Sequence, residues 1–152
     1  MIAVAGGAAL ACVAAAAVAD VRHFEIPDRW SILIAALFVV SALFVPPASA
    51  FWLHPAAGAG MFLVGALLFS KGWLGGGDVK LLAACAVWTG FDGLAILLAG
   101  TALTGGALAV GIVAARRLAG PEPAYRGLQR DGPLPYAIAI LGGATAYAVS
   151  LY

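Results

Sequence analysis

Apolar residues run along this chain in long blocks, and polar residues gather in short segments between them. Six blocks can be read, at about residues 2–19, 31–45, 50–69, 79–91, 94–115 and 133–151. Each is apolar on every face, which predicts helices crossing a bilayer, because a closed barrel needs alternating polarity along short strands. One crossing takes about 20 mostly apolar residues, so 152 residues hold six crossings, brief connections and no separate soluble domain. The pattern predicts an all-α membrane protein, a six-transmembrane-helix bundle forming a single domain over residues 1–152. The second and fourth blocks are short for a full crossing, and Pro46-Pro47 should end the second sharply.

Composition strengthens this picture. Hydrophobic residues make up 64% of the chain and charged residues 10%, with a mean hydropathy of +1.04, against about 25% charged in soluble domains. Ala17-Val18-Ala19 looks like a signal-peptidase site, but no Lys or Arg precedes Arg22 and the apolar run exceeds the usual signal core of about 7–15 residues. The first block is therefore expected to remain as a helix. Cys12 and Cys85 lie far apart in apolar runs, which offers neither a disulfide framework nor a metal-binding set, and both are expected to be small buried hydrophobes. Trp30, Trp52, Trp73 and Trp88 fall near predicted helix ends, as interfacial anchors do. Thr101, Gly105 and Ala109, and again Gly142, Ala146 and Ser150, form four-residue ladders of small side chains that let helices approach closely in lipid.

Charge sets the orientation. All eight Lys and Arg residues fall in odd-numbered connections: Arg22 and Arg29 in the first, Lys71 and Lys80 around the third, and Arg116, Arg117, Arg126 and Arg130 in the fifth. The positive-inside rule makes those connections cytoplasmic and both termini extracytoplasmic. The basic residues sit in short clusters, which argues for contact with membrane lipid and against nucleic acid as a partner.

Two carboxylates stand at helix ends on that same face. Asp20 ends the first block, in a segment reading on through Arg22, Glu25, Ile26 and Pro27 to Asp28, and Gly75-Gly76-Gly77-Asp78-Val79-Lys80 opens the fourth. An ionisable group at membrane depth is costly and usually faces a polar cavity with a function, although an Asp at a helix start can simply cap it. Asp20 follows a helix, where negative charge opposes the helix dipole, so capping suits it poorly. The glycines before Asp78 can take conformations closed to other residues and leave room for a substrate strand, or they can form a flexible turn before a capping Asp. Asp28, a third carboxylate on this face, reads as the N-cap of the second helix, with a catalytic partnership as the alternative. Lys80 either pairs with a carboxylate or extends to the interface.

Paired aspartates make a sound peptidase site, since two neighbouring carboxylates cannot both ionise cheaply and so share a proton between a base and an acid. Other hydrolytic schemes lack their parts. His23 and His54 are expected on opposite sides of the membrane, the cysteines are mid-helix, and no His-Glu-x-x-His pattern occurs.

At these motifs, and over nearly its whole length, the chain resembles the prepilin peptidase family, and in size the short branch serving Tad/Flp-type pili. Asp20 with Arg22 and Ile26-Pro27 is similar to the first aspartate motif. Gly75-Gly76-Gly77-Asp78 fits the Gly-x-Gly-Asp motif with Lys80 just beyond, and residues 133–138 are similar to the proline-aromatic stretch that opens the last helix. Short-branch members often carry Asn after Ile-Pro, where this chain has Asp28. The resemblance implies an aspartyl endopeptidase of the cytoplasmic (inner) membrane that removes leaders from prepilins or pseudopilins at the cytoplasmic face. Asp20 and Asp78 would be its catalytic pair, with Pro27, Gly75, Gly77 and Lys80 shaping the site. The additional N-terminal region of longer members, with zinc-binding cysteine pairs, has no counterpart here, so no methyltransferase activity, metal or cofactor is implied. Two other functions fit part of the pattern. A non-catalytic component of a pilus or secretion assembly is disfavoured by the presence of both aspartates, and a small proton or cation transporter by the lack of a comparable group at the midplane.

The basic clusters make a direct prediction. A cysteine introduced beside Arg126 should resist an impermeant thiol reagent in intact cells and label after permeabilisation; labelling in intact cells would reverse the orientation.

Overall fold

The fold, taken from a computed structural model, is described for residues 2–44, 51–118, 125–129 and 132–151. Five α-helices form among these residues: α1 (Ile2–His23), α2 (Asp28–Ala42), α3 (Leu53–Ser70), α4 (Gly76–Leu118) and α5 (Ala137–Ser150), with a short 3-10 turn at Arg126–Leu128. The all-helical class therefore holds. Among the described residues, three stretches are long and apolar enough to cross a membrane: Val4–His23, Leu53–Ser70 and Gly76–Leu118. Pro46 and Pro47, and Pro121, Pro123 and Arg130 of the fifth connection, lie outside the described residues.

Local chemistry accounts for the helix ends. α1 closes where the Phe24 N–H bonds the Asp20 carbonyl at 2.7 Å and Phe24 takes a left-handed φ of 54°. Pro27 is extended, with φ −62° and ψ 134°, and so starts α2 without continuing α1. α3 ends at Lys71 and Gly72, whose φ of 73° suits a residue lacking a Cβ.

The expectation of six separate helices fails at α4, which covers both the fourth and fifth apolar blocks. Forty-three straight helical residues would extend about 65 Å, roughly twice a hydrocarbon core. The chain instead turns back at Gly90, whose φ of 60° and ψ of −171° are not helical. Contacts at its two ends establish the reversal. Asp78 shares a cleft with Asp20, while Arg116 donates to the Gly127 carbonyl in the segment whose Tyr125 hydroxyl donates to the Val21 carbonyl. Both ends of α4 therefore lie at the Asp20 end of the bundle. Gly90 lies at the other end, where a Cβ would come within 3.1 Å of the His54 ring. The block pattern breaks at Asp92 and Gly93 and so reads two helices with a connection there, whereas the structure runs both together and makes the turn with the single non-helical residue Gly90.

Each arm of α4 has its own neighbour. The first packs on α3, where Gly58 faces Ala83 and Val87 and Gly65 faces Val79; the second packs on α5, where Gly100 approaches Gly143 and Gly105 meets Ala139. Lipid gives helices little hydrophobic reason to associate, so close packing through small residues carries the contact. Ile34, Leu81, Leu97 and Ile140 fill the centre, while Leu63, Leu67, Leu103 and Val110 point outward. Trp88 is not an interfacial anchor: its indole N–H donates to the Ile34 carbonyl at 2.9 Å and its ring meets Phe38 edge-on, tying α4 to α2. Trp52 and Trp73 are exposed, as anchors would be.

Gly90→Leu should destabilise the detergent-solubilised protein by about 1–3 kcal/mol, because a side chain there must hold a left-handed backbone against His54. Gly106→Ala, on an open helical face of the same element, should be neutral or better in the same thermal melt.

Candidate active site

Asp20 lies in the last turn of α1 and is 6% exposed. The expected clash with its own helix dipole is answered from another element. Oδ2 accepts the Ala137 backbone N–H at 2.9 Å, so the carboxylate meets the amino end of α5, where negative charge is favoured. The proline-aromatic stretch ahead of α5 thus delivers a backbone donor to Asp20. Tyr125 is close by: burial and the Asp20 charge push its phenol above the ordinary tyrosine value.

Asp78 stands in the first turn of α4. The Gly75 carbonyl accepts the Val79 N–H at 3.1 Å, which makes Gly75 the N-cap, and the Gly75 N–H points at the Asp78 carboxylate. This is the reaching-back half of a capping box. Asp78 therefore stands where a carboxylate can reach back to the cap residue, and its Oδ1 is buried without a partner among the described residues. A buried acceptor left unsatisfied costs about 1–3 kcal/mol, which a substrate or water donor in the cleft would recover.

The two aspartates line one cleft of about 360 Å³, together with Phe24, Glu25, Ile26 and Gly75 to Gly77. The glycine run corrects an expectation. Gly76 and Gly77 are helical and neither has a positive φ, so conformational freedom is not what position 77 requires. Closeness is: a Cβ on Gly77 would stand 2.9 Å from the Ile26 Cβ. The missing side chain lets the connection after α1 press against the start of α4, which brings the two aspartate motifs together.

Lys80 and Pro27 lie outside this cleft. The Lys80 ammonium bonds both Asp28 oxygens at 2.7 Å, joining α2 to α4 beside a separate cavity of about 550 Å³ floored by Ala83 and Ala84. Asp28 is the first residue of α2, with Pro27 as N-cap and no side-chain cap bond, so its carboxylate serves this pair instead of the expected cap. The pair is about half exposed, which limits it to about 0–1 kcal/mol. Phe24, Glu25 and the Ala137 N–H were not identified from the sequence. The first two sit inside the segment from Asp20 to Asp28, and their position in that loop was the available signal; a backbone donor leaves none.

The sequence model of the type IV leader peptidase family matches residues 7–110, which include both aspartates and the glycine run. The chain belongs to that family. No curated protein and no solved structure gives a match. Membership makes the chain a peptidase with prepilins as its general substrate class, and its apolar helices make it a membrane protein. The candidate site extends past the matched region, since α5 begins at Ala137 and supplies the donor to Asp20.

The packing of Gly77 on Ile26 can be tested in the peptidase directly. Gly77→Ala should slow prepilin processing by at least about tenfold, by separating the two motifs. Gly76→Ala, whose Cβ would meet only the Phe69 ring at 3.5 Å, should keep most activity in the same assay.

Proposed function

We propose that this chain is an aspartyl endopeptidase whose catalytic pair is Asp20 and Asp78, acting on type IV prepilins or Flp-type pilins as a member of the short Tad/Flp branch. The observation that carries the reading is the shared cleft: two aspartates 58 positions apart in sequence, on different helices, line one cavity together with three glycines. Gly75 and Gly77 shape that cleft, while Lys80 and Pro27 act at a distance by fixing the start of α2.

The chemistry uses one proton shared between the pair. One carboxylate takes a proton from water as its oxygen attacks the scissile carbonyl carbon, and the other, protonated, donates to the carbonyl oxygen. The tetrahedral species collapses as the amide C–N bond breaks, the first carboxyl giving the proton it took from water to the leaving nitrogen while one hydroxyl of the tetrahedral carbon returns its proton to the second carboxylate, which restores the pair. Asp78 Oδ1 has no partner among the described residues, and Asp20 is held through Oδ2, so each aspartate keeps an oxygen for this work.

The whole chain, residues 1–152, acts as one membrane domain in the cytoplasmic (inner) membrane, with the cleft on the cytoplasmic side and both termini outside. Support comes from charge and geometry: Arg22, Arg29, Lys80, Arg116 and Arg126 all lie at the Asp20 end. The starts of α1 and the end of α5 lie at the opposite end, where Gly6 approaches Trp88 and Tyr147 meets Gly93.

Asp20→Asn and Asp78→Asn should each lower processing of a co-expressed prepilin by at least about a hundredfold with membrane insertion intact, since each removes one member of the acid and base pair. Asp28→Asn should keep most activity. A mobility-shift assay of leader removal reads all three, and an active Asp20→Asn would sink the pairing.

A further inference from the structure

We infer that Phe24 is a substrate-positioning residue of the cleft, held in place by Tyr125 and Arg126 of the fifth connection. The inference rests on the peptidase reading above and goes beyond its catalytic pair.

Phe24 is the one non-glycine residue with positive φ among the described residues, at 54°. The position just past a helix end commonly takes that conformation, but glycine or asparagine usually fills it because a Cβ is disfavoured there. A bulky residue in such a conformation persists where surrounding contacts over-determine it, and such residues gather at ligand-binding sites. The contacts are present. The Tyr125 ring lies 5.5 Å from the Phe24 ring, centroid to centroid, with a tilt of 37°. The Arg126 guanidinium carbon stands 5.7 Å from the same ring centroid, within range of a cation–π contact. Tyr125 is itself fixed, its hydroxyl donating to the Val21 carbonyl at 3.1 Å, and the segment is tied to α4 where Arg116 donates to the carbonyls of Gly127 and Gly132.

Helix closure alone does not need a ring here, because glycine would complete the same backbone bond from residue 24 to the Asp20 carbonyl without strain. What the ring adds is a wall. Phe24 lines the cleft that holds Asp20 and Asp78, and the three glycines that also line it present bare backbone. A substrate strand entering the cleft thus meets a flat apolar face supplied by Phe24, and the orientation of that face is set from the fifth connection. Tyr125 and Arg126 are positioning residues acting through Phe24.

The test uses the full-length protein in detergent and a fluorescently tagged prepilin. Wild-type cleavage that disappears in Asp20→Asn establishes the peptidase reading first; absence of wild-type cleavage overturns that reading and this inference with it. Given wild-type cleavage, Phe24→Gly should raise KM by about tenfold, with kcat changed by less than about threefold and thermal stability equal or higher, since it relieves the backbone while removing the wall. Phe24→Tyr should restore KM to near the wild-type value. Tyr125→Ala should raise KM in the same direction and add nothing to Phe24→Gly, because both act on one ring. An unchanged KM in Phe24→Gly, or a loss confined to kcat, would overturn the positioning role. Additive effects of Phe24→Gly and Tyr125→Ala would overturn the coupling to the fifth connection.

Discussion

A carboxylate near the end of an apolar helix is tolerated only if something polar reaches it, and at Asp20 that is the backbone N–H of Ala137. Much of the architecture follows from this bond. A side-chain donor would bring its own desolvation cost, whereas the first N–H groups of a helix lack partners in any event and carry partial positive charge. One hydrogen bond thus relieves two burdens, the buried carboxylate and the open end of α5. It also fixes where α5 must begin, level with the last turn of α1.

That requirement propagates into α4. For α5 to start beside Asp20, the chain preceding it must have returned to that end after Asp78 left it. Gly90 provides the return with one non-helical residue, so α4 packs α3 on its outgoing arm and α5 on its returning arm. The reversal is braced from α3, where His54 bonds the Val87 carbonyl at 3.0 Å and stacks on Phe38. The small residues on the returning arm then have a specific use. Thr101, Thr104 and Gly105 let Ala139, Gly142 and Gly143 come close, which seats α5 deeply enough for its first N–H to reach Asp20. Packing at mid-bundle and chemistry at its end are the same constraint at two heights.

The sequence made legible what depends on period and charge. Long apolar blocks located the helices, the placement of Lys and Arg grouped the chemistry at one end, and the position of two aspartates at helix ends on that face, with the resemblance of their motifs, singled out the pair that shares a cleft. Features set by close approach were out of reach. Gly77 read as a flexible residue because glycine is flexible in general, but here the neighbouring Ile26 decides its identity. Asp28 read as a cap because it follows a proline, yet a cation 52 residues away claimed its carboxylate. Trp88 read as an anchor because it stands near the end of an apolar block; that end turned out to be the inside of a reversal, with the Ile34 carbonyl in reach. Each of these misreadings assigned to local sequence what a distant partner determines.

Asp78 shows why a structural and a functional reading of one residue need not compete. A carboxylate at the third position of a helix is placed to reach back toward the cap residue, here Gly75, and so suits the start of α4. Because the cap residue is glycine, it has no side chain to stand between the carboxylate and the cleft; a Cβ there would come within 2.6 Å of Oδ2. Oδ2 therefore lies against the cap residue while the other oxygen, Oδ1, is buried without a partner among the described residues. Asp20 reaches the same condition by the opposite route, at a helix end, with its donor borrowed from α5. Asp20 is thus held by a backbone N–H from the amino end of α5, while Asp78 sits in the first turn of its own helix. A backbone donor adds no titratable group beside Asp20, so the carboxylate is held in place without being neutralised by its own support.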